Sequence, residues 1–268
     1  MPLLGEKKFD VINCSKPRID GVDKVTGKAR YAADIYMENM LVAGVLRSGR
    51  SSARVVRIDA SKAREIEGVE AVVTCMEMKK TKSWAGYQYL TDRIRYEGDC
   101  VAMAAAKDRR ALDEALAAVE VEYEDLPGVY TIEEALAPGA PLVHDEYKGN
   151  IFTDSTFHTR KGDTEKGFAE ADVIIEREYR TQYIEHSYIE PEAVVAYRDP
   201  NNGMMTVHAS SQNPFFTRHY IADVLNLPMN QVRLIQEAIG GTFGGKEEGV
   251  GLMAGRAAYL SALTGKPV

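Results

Sequence analysis

The chain has 268 residues, with 33 Lys and Arg against 40 Asp and Glu and a formal net charge of −7. That balance disfavours a general nucleic-acid binder, which needs clustered positive charge against phosphate. With 45% apolar and 27% charged residues the composition is that of a folded globular protein, and the length suits two ordinary domains. The opening Met1 to Asp10 has no apolar run of signal-peptide length. The longest stretch free of charged side chains, Pro200 to Thr217, is too rich in Asn, Ser and Gln to cross a bilayer. Cys14, Cys75 and Cys100 are far apart with no metal-ligand spacing, which fits free thiols in a reducing compartment. A cytoplasmic protein with neither membrane nor nucleic-acid partners is expected.

Strand and helix signals alternate through the first half. Leu41 to Leu46 and Val55 to Ile58 read as strands, Asp59 or Ser61 caps a helix that Gly68 ends, and Glu70 to Cys75 is a β-branched strand. An apolar run from Arg93 to Ala106 is interrupted by a turn at Glu97-Gly98-Asp99, and Asp92, Arg93 and Arg95 read as a solvated strand edge. Asp108 opens a helix whose Leu112, Ala115, Leu116 and Val119 fall on one face. Val119 to Tyr123, alternating with Glu120, Glu122 and Glu124, reads as a strand with one wet face. The Gly- and Pro-rich stretch 127–145, with a short acidic helix signal from Thr131 to Leu136, divides the chain into a domain over 1–126 and another over 146–268.

In the second half Val173 to Ile175, Glu178 to Tyr183 and Ala193 to Tyr197 read as strands, and Asp199 to Gly203 as a hairpin turn leading to a strand at Thr206 to Ala209. Asn213-Pro214 starts a helix, Phe216, Tyr220 and Val224 line its core face, and Leu227-Pro228 stops it. Gln231 to Gln236 is a strand. A glycine-rich loop and a helix from about Gly249 to Leu263, stopped at Gly265, complete the chain.

The loop, Gly240-Gly241-Thr242-Phe243-Gly244-Gly245-Lys246-Glu247-Glu248, lets backbone approach a ligand closely and offers N–H groups to anionic oxygens at a helix N-terminus. Gly240, Gly245 and Lys246 fit the spacing of a phosphate loop. Glu247 stands where a hydroxyl is needed for Mg²⁺, which argues against a nucleotide triphosphatase, and the loop also fails GxGxxG. A plain left-handed turn remains the alternative reading. His186, Glu190 and Glu192 lack a second cluster to complete a metal shell, and His208 and His219 read as structural.

Five stretches together resemble the molybdenum hydroxylase family of xanthine dehydrogenases and aldehyde oxidases. They are Pro17 to Asp20 with Val25 to Tyr31, Arg93 to Asp99, His186 to Glu192, Ser210 to Pro214, and the glycine loop, in the family's order. The resemblance implies an α+β fold: an α/β hammerhead domain over 1–126, then the first part of a molybdopterin-binding domain over 146–268. It implies hydroxylation of a C–H bond with oxygen from water, on a molybdenum-molybdopterin cofactor, with the cytosine dinucleotide form as one alternative. Electrons would leave to 2Fe-2S clusters and FAD on other domains or subunits.

Carried over position by position, the resemblance gives Gln212 a hydrogen bond to an oxo ligand of the metal. It sets Phe243 and Gly244 against the metal centre, with Gly240 and Gly241 in the cofactor loop, so that Gln212 and Phe243 surround the metal without ligating it. Glu247 would face a purine or other N-heterocycle; its alternative is a helix N-terminal acid favoured by the macrodipole, a role Glu248 fits equally well. The family's catalytic glutamate matches no residue of this chain, so an incomplete site, inactive alone, is expected. It would be completed by the rest of the molybdopterin-binding domain and by iron–sulfur and FAD partners. An aldehyde-oxidising member, or a cofactor-free assembly module whose loop is only a turn, is the competing expectation.

Overall fold

The computed structural model describes residues 11–12, 14–78, 86–152 and 158–268. The first ten residues, read above for the lack of an export signal, lie outside the described residues. In chain order the first half forms helix α1 (Gly21–Val25), strands β1 (Val42–Arg47) and β2 (Ala53–Asp59), helix α2 (Ser61–Arg64), strands β3 (Val69–Thr74), β4 (Arg93–Ile94) and β5 (Cys100–Ala106), helix α3 (Arg109–Ala117) and strand β6 (Glu120–Asp125). These strands make two three-stranded sheets, β1-β5-β3 and β4-β2-β6, antiparallel wherever they pair.

Strand β5 is buried along its whole length because both its faces are covered. Its side chains alternate as a pleated strand requires. Ala102, Ala104 and Ala106 pack with Ala111, Leu112 and Ala115 of α3, while Val101, Met103 and Ala105 join the larger core. Asp108 starts α3 as expected, its side chain accepting the Ala111 N–H at 2.9 Å. The helix comes close enough that a Cβ on Gly44 of β1 would sit 3.1 Å from Leu116.

Asp92, Arg93 and Arg95 are half-buried rather than a solvated edge. Arg93 donates to the carbonyls of Ile94 at 2.7 Å and Ala53 at 3.3 Å, and Arg95 donates to that of Val143 at 2.9 Å. Guanidinium groups serve carbonyls here that a two-residue strand cannot satisfy with a ladder. Within 127–145, helix α4 (Ile132–Leu136) forms at its acidic signal, the Thr131 side chain accepting the Glu134 N–H at 3.1 Å.

The second half contains helix α5 (Thr164–Ala169), strands β7 (Val194–Arg198) and β8 (Met205–Ala209), helix α6 (Pro214–Leu225), strand β9 (Val232–Gln236) and helix α7 (Glu248–Thr264). β7 and β8 form an antiparallel hairpin around the predicted turn; β9 lies parallel to β8, with α6 as the crossover. Asn213 caps α6, and Asn226 at φ 50° ends it. Tyr220 and Val224 are buried as expected, whereas Phe216, in the first turn beside exposed Phe215 and Gln212, stays 45% exposed.

The strands expected at Val173 to Ile175 and Glu178 to Tyr183 do not form. This stretch carries no ladder and is exposed, Val173 by 76% and Tyr179 by 86%. β-Branched and aromatic residues favour a strand only where a partner and a covering layer receive them, and neither lies alongside among the described residues.

The halves share one core in which α7 is the joint. A Cβ on Gly255 would stand 2.3 Å from the Tyr89 ring, and one on Gly251 2.5 Å from the Tyr220 ring. These two glycines, four residues apart on one helix face, make room for both rings. The Tyr89 hydroxyl donates to the Tyr220 carbonyl, and Arg256 Nε donates to the Tyr89 carbonyl at 2.9 Å. Leu41 N–H to the Pro267 carbonyl at 2.8 Å and Lys266 to Glu70 at 2.7 Å tie the far end of the helix to the first half.

Candidate functional site

The glycine loop leaves β9 and enters α7, and its four glycines answer two different demands. Gly241 at φ 107° and Gly244 at φ 99° adopt left-handed backbone that a side chain would strain. Gly240 and Gly245 are forced by neighbours: a Cβ on Gly240 would be 2.6 Å from Glu190 Cβ, and one on Gly245 2.6 Å from the Tyr188 ring. Between them Phe243 also has positive φ, 49°, with its ring 74% exposed. A bulky residue is uncommon in that region, and this one keeps its apolar ring turned to solvent.

Beneath the loop runs the segment 186–192, which forms no strand and turns through positive φ at Ser187, 51°. His186, Tyr188, Glu190 and Glu192 all meet the loop or the start of α7. Lys246 is fully buried. Its Nζ lies 2.7 Å from Glu190 Oε2 and 4.7 Å from the centroid of the Tyr188 ring. Glu190 Oε2 also accepts the Gly240 N–H at 2.6 Å. Tyr188 donates to Glu192 at 3.1 Å; burial first, then the Glu192 charge, pushes the Tyr188 phenol up to about 12, and burial also raises Glu192. The weak metal-site reading of His186, Glu190 and Glu192 finds no support: among the described residues no three His, Cys, Asp or Glu are grouped to hold a metal ion.

This floor answers the phosphate-loop comparison. A phosphate-loop lysine projects toward the ligand, but Lys246 points inward and is spent on Glu190. The backbone N–H groups are likewise partly committed. Gly240 donates to Glu190, Gly245 donates to the Thr242 carbonyl at 2.8 Å, and Gly244 donates to Gln212 Oε1 at 3.1 Å. Gly244 is therefore not the free donor expected from the sequence.

Gln212 stands at the exposed lip, its own N–H donating to the Lys246 carbonyl at 2.8 Å. Because Oε1 meets the Gly244 N–H, the side-chain NH₂ is the group left to face outward. Glu247 is exposed and does not cap α7. Glu248, the first residue of α7, receives a hydrogen bond from Tyr87 of the first half, which pushes the Tyr87 phenol up to about 12. The structure thus separates two adjacent acids that suit the helix N-terminus equally well in the sequence: Glu248 belongs to the joint between halves, and Glu247 to the open face.

His208 is structural as expected, 2.6 Å from Glu237 and stacked on Tyr197; His219 is exposed on α6. Lys24 Nζ donates to the Ile239 carbonyl at 2.8 Å and Ala238 N–H to that of Arg30 at 3.1 Å, so residues 24–30 brace the strand end feeding the loop. Sequence reasoning missed the roles of Tyr87, Tyr188 and Glu190.

Residues 26–127 match the aldehyde oxidase and xanthine dehydrogenase a/b hammerhead domain, and residues 143–268 the molybdopterin cofactor-binding domain. The chain belongs to the molybdenum hydroxylase family. It is 39% identical over 245 residues to the nicotinate dehydrogenase large molybdopterin subunit of Eubacterium barkeri, covering 90% of this chain and 56% of that subunit. It is 34% identical to a probable xanthine dehydrogenase subunit of Bacillus subtilis, over 95% of this chain and 34% of that protein. Among solved structures it resembles the CO dehydrogenase of Oligotropha carboxidovorans with a TM-score of 0.77 at 28% identity, over 96% of this chain and 34% of that one. The chain therefore spans about a third to a half of the length of these relatives. No helix among the described residues is long and apolar enough to cross a membrane.

Proposed function

We propose that this chain supplies one wall of the active site of a molybdenum hydroxylase that oxidises an N-heterocycle with oxygen from water. The observation that carries the reading is the lip formed by Gln212, Phe243 and Gly244. A neutral amide is held with its NH₂ outward, beside an exposed aromatic at positive φ and a glycine where a side chain would intrude. These residues fit a molybdenum-molybdopterin group: a neutral donor holds an oxo ligand without changing charge during turnover, and the glycine backbone permits close approach. When bound, the cofactor supplies the two-electron redox chemistry.

The chain's own residues bind and orient. Gln212 donates through its side-chain NH₂, while Gly240 and Gly241 shape the cofactor loop. Phe243 and Gly244 border the metal without ligating it, and Glu247 presents a carboxylate to a ring nitrogen or carbonyl of the substrate. Relatives named for nicotinate and xanthine support an N-heterocycle over carbon monoxide. No catalytic residue is assigned within this chain. The site is completed by the remainder of the molybdopterin-binding region and by partners carrying 2Fe-2S and FAD, in the cytoplasm, where the free thiols Cys75 and Cys100 suit a reducing environment. The division into 1–126, a linker over 127–145 and 146–268 is part of the same proposal.

The test is Gln212→Ala in the assembled enzyme. The reading expects kcat for nicotinate or xanthine to fall about a hundredfold to a thousandfold, the range for losing a preorganised donor, with thermal stability unchanged. Unchanged turnover contradicts the assigned role.

A further inference from the structure

We infer that Glu190 and Lys246 act together as a positioning clamp that fixes the glycine loop and, through it, Gln212. The inference rests on the reading of the loop as the cofactor lip, but its geometry stands apart from that reading. Glu190 Oε2 holds both ends of the loop, accepting the Gly240 N–H at 2.6 Å where the loop begins and pairing with Lys246 Nζ at 2.7 Å where it ends. Among the described residues its other oxygen, Oε1, is buried with no hydrogen-bond partner, so the side chain holds the loop through Oε2, beside a backbone bond from the Glu190 N–H to the Gly240 carbonyl at 3.4 Å.

Lys246 carries the constraint onward through its main chain. Its carbonyl accepts the Gln212 N–H at 2.8 Å, and Gln212 Oε1 accepts the Gly244 N–H at 3.1 Å. One connected path thus runs from Gly240 through Glu190, Lys246 and Gln212 to Gly244. The ammonium is sealed from water by full burial and by the Tyr188 ring, with its Nζ 4.7 Å from the ring centroid, so bulk solvent does not compete for it as it would on the surface. Replacing a buried ion pair by groups of similar volume is often nearly neutral for stability. Its consequence here is a single loop conformation.

The clamp predicts an effect confined to the loop. Amide exchange of the full chain, read by NMR at Gly240 and Gly244 and at Val207 in β8, is compared between wild type, Glu190→Gln, Lys246→Met and the double variant. The double variant leaves no buried charge alone and so retains the fold even if a single variant does not. The clamp predicts exchange at Gly240 faster by about tenfold or more, at Gly244 by a smaller factor, and at Val207 within about twofold. Equal acceleration at Val207 assigns the pair to general stability and overturns the clamp, as does unchanged exchange at Gly240. A second arm measures pterin and molybdenum content of the assembled enzyme carrying the double variant. A mobile loop with full cofactor content leaves the clamp standing and sinks the cofactor-lip reading, so the two claims fail separately.

Discussion

Helix α7 has glycine-rich surfaces at its start and along its length, and the two use glycine for different ends. Along the helix, Gly251 and Gly255 are demanded by the Tyr220 and Tyr89 rings, and filling them would push the two halves apart. In the preceding loop, Gly240 and Gly245 are demanded by the 186–192 floor, while Gly241 and Gly244 are demanded by backbone conformation at an exposed surface. The first pair holds the molecule together; the loop glycines shape a surface that faces outward. The same residue type therefore predicts global unfolding at one place and loss of a ligand at the other.

Substitutions ordered by their expected effect on folding probe that contrast. Gly255→Val should be the most damaging, costing about 3 kcal/mol or more because its Cβ would overlap the buried Tyr89 ring; a melting temperature equal to wild type would remove the joint from the account. Tyr89→Phe keeps the ring but removes the hydroxyl's bond to the Tyr220 carbonyl, which keeps its helical partner within α6, for an expected loss of about 1 kcal/mol by chemical denaturation. Gly244→Ala should cost a similar amount or less, about 1 kcal/mol of left-handed strain at an exposed site, with the effect read mainly in cofactor retention.

Glu247→Gln should change stability by less than about 0.5 kcal/mol, since the side chain is exposed. It should raise KM for an N-heterocycle far more than for an aldehyde; equal changes for both would make the residue a bystander. The smallest effect concerns Glu192. Burial raises its carboxyl pKa in the folded state, so the folded chain binds more protons than the unfolded one between the two pKa values. Stability then declines as pH rises through that window. Glu192→Gln should flatten this decline in denaturation curves measured between acid and neutral pH.

Much of this architecture is written locally. Asp108, Thr131 and Asn213-Pro214 announce their helices because a cap is a contact within three residues, and Gly265 at φ 69° ends α7 for an equally local reason. The loop between β9 and α7 is legible too, whereas the roles of Gln212 and Glu247 come from the family resemblance and stand as proposals. What stayed hidden depends on distant partners. Val173 to Ile175 has strand composition but no neighbour to pair with among the described residues, and Arg93 and Arg95 find carbonyls that only the folded chain presents. Lys246 could have faced a ligand or the interior. Its choice is set by Glu190, 56 residues earlier in the chain.

The central claim is that the lip of Gln212, Phe243 and Gly244 holds a molybdenum cofactor. Its most direct test is the molybdenum and pterin content of the assembled enzyme carrying Gly244→Val, measured beside wild type and alongside the melting temperature of each. The account predicts stoichiometric cofactor in wild type, at least about tenfold less in the variant, and melting temperatures within a few degrees of each other. Equal cofactor content in both, or none in wild type, would contradict it.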